Sequence, residues 1–153
     1  MFRRILIATD GSWLAESAAR AAISLAKGGK AEVLAFSAAP PYPVRLTGRE
    51  TKADIEAAMA EAHQEAIAHV ATVAGLAHEA GVACRTVTAI SPFPGDEIIH
   101  VAEENACDLI VLGASGGRIV PPGLAGGVAQ QVLAYSPVPV LMLRDAGRPE
   151  HTL

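Results

Sequence analysis

The sequence predicts an α/β fold, a five-stranded parallel sheet with helices on both faces. Five short runs rich in valine, isoleucine and leucine alternate with segments whose apolar residues recur every three or four positions. Most of these runs are apolar almost throughout, which is typical of strands covered on both faces. Strands that alternate with helices form a parallel sheet through right-handed crossovers. We therefore expect the element order β-α-β-α-β-α-β-α-β, a Rossmann-like three-layer sandwich.

The five predicted strands are the apolar runs at residues 4–9, 32–37, 83–89, 109–112 and 138–143. Pro139 lies in the last of them and has no backbone N–H to donate. A strand tolerates proline where one of its sides is unpaired, so we expect residues 138–143 to lie at an edge of the sheet. An open apolar edge invites pairing with another chain.

Four helices are predicted between the strands. The second and longest follows Thr51 and Asp54, which have capping-box spacing. Gly28-Gly29, Gly81 and Ser136-Pro137 are signals that end helices. The apolar stripes of the four helices are Leu14, Ala18, Ala21 and Leu25; Ile55, Met59, Ala62, Ala66, Val70 and Val73; Ile98 and Ala102; and Val128, Val132 and Tyr135.

Length and local composition predict a single domain. A chain of 153 residues is long enough to bury roughly 70% of its unfolded surface in one core. We expect that domain at residues 1–145, followed by a polar, flexible tail at residues 146–153. Residues 38–50 contain three prolines and predict a long loop, ordered or mobile. Such a loop is often functional, and a plain surface excursion is the alternative.

Composition disfavours several partners and compartments. The chain is 51% apolar, yet no segment approaches the roughly 20 uninterrupted apolar residues that span a bilayer, so no membrane is expected. A net charge of −4 and an aromatic content of 4% argue against a nucleic-acid surface. Cys84 and Cys107 form no disulfide framework, and the first apolar run stops at Asp10, too early for a secretion signal. We expect a cytoplasmic protein.

Glycines after the fourth strand indicate a phosphate site. Leu112 is followed by Gly113-Ala-Ser115-Gly116, and after nine more residues Gly126-Gly127 precedes the last helix. Glycine lets main-chain N–H groups approach an anion, and the start of a helix adds partial positive charge. The pattern therefore favours a ligand that carries phosphate.

A second polar segment, Thr9-Asp10-Gly11-Ser12, follows the first strand. Ligands of open doubly wound sheets bind beyond the carboxyl ends of the strands, where the winding direction reverses. If the first and fourth strands are neighbours, Asp10 faces the glycines across one crevice, where it suits ribose hydroxyls or Mg²⁺. The alternative is that Asp10 only caps the first helix.

These segments resemble the universal stress protein family, and the resemblance covers nearly the whole chain. It is carried by RILIATDGS at residues 4–12, DLIVLG at 108–113, SPVPVLMLR at 136–144 and the glycine spacing between 113, 116 and 126. The resemblance implies the strand order 3-2-1-4-5 and homodimers formed through the last strand, Val138 to Leu143. It also implies a stress-response or signalling module that binds ATP or another adenine nucleotide, with Mg²⁺ as a possible companion.

The resemblance also implies which residues form the site. Adenine and ribose contact Ala8, Thr9, Asp10 and Ala38, while phosphates contact Gly113, Ser115, Gly116, Gly126, Gly127, Val128 and Ala129, with Leu112 beside them. The nucleotide-binding branch of the family has serine or threonine where this chain has Gly127. Losing one hydrogen bond to a charged group costs about 1.5–3 kcal/mol, so we expect binding to be weakened about ten- to a hundredfold. The segment Pro121-Pro122-Gly123 is a second departure from the family pattern.

Two other functions match parts of the sequence. Gly113-x-Ser115-x-Gly117 has the spacing of a hydrolase nucleophile elbow, but Pro121-Pro122 prevents the helix that must follow it directly. A structural or adaptor homodimer without nucleotide is the alternative that stays open.

Enzyme chemistry has little support in the sequence. No general base is evident, so we expect at most slow ATP hydrolysis. The five histidines lack metal-site spacing. His63 and His69 are predicted on the polar side of the long helix, and both cysteines are predicted to pack as small apolar residues.

Overall fold

The computed structural model describes residues 1–42, 46–114 and 127–144. All of its strands are parallel and form one sheet in the order β3-β2-β1-β4-β5. The predicted fold class and strand order are confirmed. The elements are β1 (Arg4–Ala8), α1 (Trp13–Gly29), β2 (Glu32–Ala39), α2 (Lys52–Glu79), β3 (Cys84–Ile90), α3 (Pro94–Glu104), β4 (Leu109–Gly113), α4 (Val128–Tyr135) and β5 (Val140–Leu143).

The central strands β1, β2 and β4 are buried on both faces of the sheet, with neighbouring residues of one strand pointing to opposite sides. Ile5 and Ile7 pack in the cluster under α1 and α2. Leu6, which lies between them, packs with Ile110 in the cluster under α3 and α4. All four side chains are fully buried. This explains why the central strands are continuous apolar runs rather than alternating ones.

The helix faces differ in part from the predicted stripes. Leu25 was expected in the core, but α1 turns an alanine-rich face to the sheet and leaves Leu25 37% exposed. Small side chains let this helix lie close to the strands. Tyr135, expected on the buried face of α4, is 74% exposed in the last turn of that helix.

Helix α2 is much longer than the strands of the sheet. Its 28 residues span about 42 Å at 1.5 Å per residue. The predicted capping box is present: Asp54 N–H donates to Thr51 Oγ1 at 3.1 Å, and Thr51 N–H donates to Asp54 Oδ2 at 2.9 Å. Only the second half of α2 is buried, through Ala66, Val70, Val73 and Ala77. No helix among the described residues is long and apolar enough to cross a membrane.

The segment between β2 and α2 begins later than expected, because Ala38 and Ala39 still belong to β2. Residues 43–45 of this segment lie outside the described residues. Its end is a compact turn around the Glu50 carboxylate, which accepts from Thr47 N–H at 2.6 Å and from Gly48 N–H at 3.0 Å. The hydrogen bond from the Thr47 backbone, together with those from the Thr47 hydroxyl and Gly48, lowers the pKa of Glu50 to about 2.

Asp108 ties the amino ends of β1 and β4 together. Its carboxylate accepts from Arg3 N–H at 2.8 Å and from Arg4 N–H at 3.1 Å. Burial raises the pKa of Asp108, but these backbone hydrogen bonds outweigh burial and lower the pKa below its usual value. The carboxylate therefore stabilises the fold in its ionised form.

We expect this contribution to be lost in acid. Because the pKa of Asp108 is lower in the folded chain, its stabilisation is present above the unfolded pKa of about 3.9 and disappears as pH falls through the folded value. Unfolding by urea at pH 7 and at pH 3 measures the effect. Asp108→Asn should lose stability at pH 7 and show a smaller fall between the two pH values than the wild type. An equal fall in both proteins would contradict the assignment.

Candidate functional site

The carboxyl ends of β1 and β4 lie side by side at the centre of the sheet. The two strands pair in parallel, with Ile5 opposite Leu109 and Ile7 opposite Val111. The residues that follow them, Thr9 to Ser12 after β1 and Gly113 at the end of β4, therefore meet at one crevice. This is the place where the chain reverses its winding direction and where doubly wound sheets bind ligands.

A cavity of about 330 Å³ occupies this crevice. That volume is within the range of small-molecule sites, roughly 300–1,000 Å³. Every predicted site residue that the structure describes lines it: Ala8, Thr9, Asp10, Ala38, Leu112, Gly113, Gly127, Val128 and Ala129. The other three predicted residues, Ser115, Gly116 and Gly126, lie outside the described residues, as do Pro121, Pro122 and Gly123.

Six further residues line the cavity and are not in the predicted site: Ser12, Ala15, Phe36, Ser37, Pro94 and Ile98. Ser12 belongs to the polar segment Thr9-Asp10-Gly11-Ser12, so its place in that segment was the available signal for it. Phe36 and Ser37 precede Ala38 in β2, and Pro94 opens α3 at the same edge of the sheet. Their place at the cavity follows from the three-dimensional arrangement of the strand ends, which no local sequence pattern indicates.

The loop between β1 and α1, residues 9–12, forms one wall of the cavity. Gly11 N–H donates to Thr9 Oγ1 at 3.1 Å, and Ser12 N–H donates to Asp10 Oδ1 at 2.9 Å. The N-cap of α1 is Ser12, whose hydroxyl accepts from Ala15 N–H at 3.1 Å. The alternative that Asp10 caps this helix is therefore wrong. Asp10 is exposed at the cavity, and a carboxylate with one N–H bound still has acceptor sites for a ligand.

The start of helix α4 also lines the cavity, through Gly127, Val128 and Ala129. Its N-cap is Gly127, and no side chain caps the first turn. First-turn N–H groups have no acceptor inside their own helix and carry partial positive charge. Gln130 N–H is an exception, because it donates to the carbonyl of the N-cap, Gly127 O, at 3.0 Å. The residues before it, Val128 and Ala129, line the cavity, so this end of α4 suits a negatively charged group.

The start of α3 completes the apolar side of the cavity through Pro94 and Ile98. It is joined to α4 by a hydrogen bond from Gln131 Nε2 to Asp96 Oδ1, 2.7 Å long. The Gln131 side chain also lies against Gly95, where a Cβ would come within 2.5 Å of its Oε1. The two helices that flank the cavity are thus held together beside it.

Gly113 is required by close packing rather than by an unusual backbone angle. A Cβ at this position would lie 3.0 Å from Leu14 Cγ and 3.2 Å from the backbone C and O of Leu14. Those backbone atoms belong to the first turn of α1 and move only if the helix start moves. The glycine thus lets α1 approach β4 at the mouth of the cavity.

We expect Gly113→Ala to destabilise the protein by about 1 kcal/mol, since overpacking against backbone typically costs that much or more. Gly28→Ala is the matched control, because a Cβ there meets nothing within 4 Å. In helix α1 that control should gain about 0.5–1 kcal/mol. Urea unfolding of both variants measures the difference. A neutral or stabilising Gly113→Ala would contradict the packing argument.

The described residues offer little support for a metal site, a hydrolase site or a reactive cysteine. They contain no group of three or more histidine, cysteine, aspartate or glutamate side chains able to hold a metal ion. The residues that resemble a hydrolase elbow, Ser115 and Gly117, lie outside the described part of the chain. Cys107 is buried in the core under α3 and α4, and Cys84 packs at the edge of the other core. Both cysteines therefore pack as small apolar residues, as predicted, and burial raises the pKa of Cys84 and raises that of Cys107 to about 11.

The chain is similar to known proteins of one family. The model of the universal stress protein family matches residues 1–144. A universal stress protein of Methanocaldococcus jannaschii is 34% identical over 145 residues, which cover 94% of this chain and 83% of the relative.

Two solved structures have the same fold. A universal stress protein in complex with cAMP aligns with a TM-score of 0.70 and 22% identity, covering 93% of this chain and 97% of that one. The universal stress protein of Archaeoglobus fulgidus in complex with dAMP aligns with a TM-score of 0.60 and 20% identity, covering 92% and 96%.

Proposed function

Because the chain belongs to the universal stress protein family, we propose that it binds an adenine nucleotide, ATP or a related one, in the cavity between β1 and β4. It would act as a dimeric stress-response or signalling module in the cytoplasm, and not as an efficient enzyme. Neither nucleic acid nor a membrane is part of this proposal. The observation that carries the proposal is the convergence of nine predicted residues on one cavity.

The chemistry of the cavity walls supports a nucleotide. Phe36, Ile98 and Leu112 provide an apolar surface, which suits the flat face of a purine base. Asp10 and Thr9 supply oxygen atoms on the loop side, where ribose hydroxyls can donate. The first turn of α4, which no side chain caps, also lines the cavity, and its amides suit phosphate oxygens.

Two relatives of the same fold support the choice of adenine. Their structures are complexes with cAMP and with dAMP, which are both adenine nucleotides with one phosphate. The present cavity of about 330 Å³ gives the base and sugar a site, and the phosphates extend toward Gly113 and Gly127. Asp10 is the one carboxylate among the described residues that line it, and Mg²⁺ is commonly held by one carboxylate together with substrate phosphates.

Calorimetry tests the proposal directly. Protein stripped of copurified nucleotide is titrated with millimolar ATP or AMP, with Mg²⁺ present. We expect saturable heat with an adenine nucleotide. No heat with either nucleotide would overturn the proposal, and mass spectrometry of small molecules released from freshly purified protein gives an independent answer.

The role of Asp10 can be separated from that of Mg²⁺. Asp10→Asn keeps an oxygen acceptor for Ser12 N–H but removes the negative charge. If Asp10 holds Mg²⁺, chelation with EDTA lowers the ATP affinity of the wild type and leaves that of Asp10→Asn unchanged. If Asp10 accepts from ribose, EDTA has the same effect on both proteins.

Dimerisation through β5 is the second part of the proposal. This strand lies at the edge of the sheet and pairs only with β4 among the described strands. Leu141 in the strand and Leu133 in the neighbouring helix α4 are 43% and 45% exposed. A second copy of β5 would cover this apolar surface and occupy the unpaired backbone groups.

A dimeric adaptor without nucleotide is the alternative function. The observation that favours it is Gly127, which supplies no hydroxyl to phosphate at the start of α4. Dimerisation that persists while calorimetry shows no nucleotide uptake would support this alternative.

A further inference from the structure

We propose that His69 on α2 is a positioning residue for the nucleotide site, holding the loop at residues 9–12 through Gly11, the residue of that loop that does not line the cavity. The inference rests on the proposed nucleotide-binding function for its ligand readout. The sequence suggested instead that His69 lies on the polar side of α2, but its ring contacts Gly11.

The contact is close and involves the ring broadly. A Cβ built on Gly11 would lie 2.3 Å from His69 Nε2, 2.4 Å from Cδ2 and 2.9 Å from Cε1. The imidazole therefore occupies the space that a side chain at position 11 would need. Gly11 also has φ +79°, a left-handed conformation that L side chains rarely adopt. The backbone conformation favours glycine by itself, and any side chain at this position would also displace the His69 ring.

The loop contacts both the cavity and the His69 ring, through different residues. Thr9, Asp10 and Ser12 line the cavity, while Gly11 between them faces His69. The hydrogen bonds from Gly11 N–H to Thr9 and from Ser12 N–H to Asp10 stay inside the loop. They shape the turn but do not fix where the turn stands relative to the helices. The contact with the His69 ring can fix the position of the turn relative to helix α2.

Helix α2 can provide such a support because it is itself anchored. Ala66, Val70 and Val73 on the same stretch of helix are buried against the sheet. His69 itself is half-buried. Rigid supporting residues of this kind decide how precisely a binding group is placed. When the ring is removed, the turn at Gly11 is free to shift, and Asp10 shifts with it.

The first test measures nucleotide affinity. We expect His69→Ala to weaken adenine nucleotide binding about tenfold, since a displacement of about 1 Å in a binding group can cost that much. His69→Gln, which reaches as far as Nε2, should stay within about threefold of the wild type. His78→Ala is the control: the same residue type on the same helix, exposed near its far end. The fluorescence of Trp13, the single tryptophan and the residue after the loop, reports binding.

The second test needs no ligand. Gly11→Ala should lower the melting temperature through both its backbone conformation and the collision with the ring. In the His69→Ala background the collision is absent, so the fall should be smaller by about 2–4 °C, equivalent to about 1 kcal/mol of coupling. Additive effects of the two substitutions would overturn the proposed contact.

The outcomes separate the two proposals. If the wild type binds an adenine nucleotide and His69→Ala binds equally well, the positioning role is overturned and the proposed function stands. If the wild type binds none, the proposed function fails and the positioning role falls with it, even where the ligand-free cycle detects the contact. If His78→Ala weakens binding as much as His69→Ala, the effect is not specific to the loop contact and the inference is also overturned.

Discussion

Replacing Gly127 with serine is expected to tighten adenine nucleotide binding by about ten- to a hundredfold, because one hydrogen bond to a charged group is worth about 1.5–3 kcal/mol. Gly127 is the N-cap of α4 and has φ −52° and ψ 170°. A serine adopts these angles without strain. Its hydroxyl would stand at the helix start, where the family resemblance implies a serine or threonine in nucleotide-binding members.

The same substitution has a second, independent effect. Helix α4 has no side-chain cap in the wild type, and serine caps a helix better than glycine by a few tenths of a kcal/mol. A small rise in melting temperature therefore shows that the serine is in place. Gly75→Ser is the matched control, since Gly75 lies on α2 with nothing within 4 Å of a Cβ. It should leave nucleotide affinity unchanged.

Calorimetry with ATP and Mg²⁺ on the wild type and both variants measures the change. A Gly127→Ser protein that melts higher yet binds no more tightly would mean that phosphate does not reach the start of α4. That result would remove the phosphate half of the proposed site. It would leave the base and sugar half, between Asp10 and Ala38, to be tested by the Asp10→Asn comparison.

The central strands were predictable because the sheet is covered on both faces there. Burial on both sides requires an apolar residue at nearly every position, and that requirement is visible along 109–112 without any knowledge of neighbours. The strand order came from the family resemblance, since no single strand encodes which strand will pair with it. The structure confirms both.

Helix faces were less predictable because small residues carry little signal. Alanine fits either the buried or the exposed side of α1, so spacing alone selected Leu25, whereas the helix buries Ala22 and Ala26. A leucine stripe would have pulled the helix away from the strands. Close approach of α1 to β4 is also what makes Gly113 necessary.

The candidate site also has a part that the sequence could predict and a part that it could not. Asp10 and Gly113 follow strands that the sequence marks clearly, so their meeting at one crevice could be predicted. The contact of His69 with Gly11 could not, because the two residues are far apart in the chain and a histidine among helix residues reads as a polar surface residue. Only the packing of α2 against the sheet brings that ring to the loop.

Replacing Leu141 with aspartate is expected to convert the proposed homodimer into a monomer. Leu141 lies in the middle of β5 and is 43% exposed in the single chain. In a dimer formed through this edge the carboxylate would be buried without a partner. An uncompensated buried charge costs about 3–5 kcal/mol, which weakens association roughly a hundredfold or more.

Ile67→Asp provides the matched control for this prediction. Ile67 is 41% exposed, almost the same as Leu141, but lies on α2, on the opposite face of the sheet from α4. Sedimentation should show half the wild-type mass for Leu141→Asp and the wild-type mass for Ile67→Asp, with far-UV circular dichroism confirming that both remain folded. A Leu141→Asp protein with unchanged mass would show that β5 is not the interface, and loss of mass in Ile67→Asp instead would place the interface on α2.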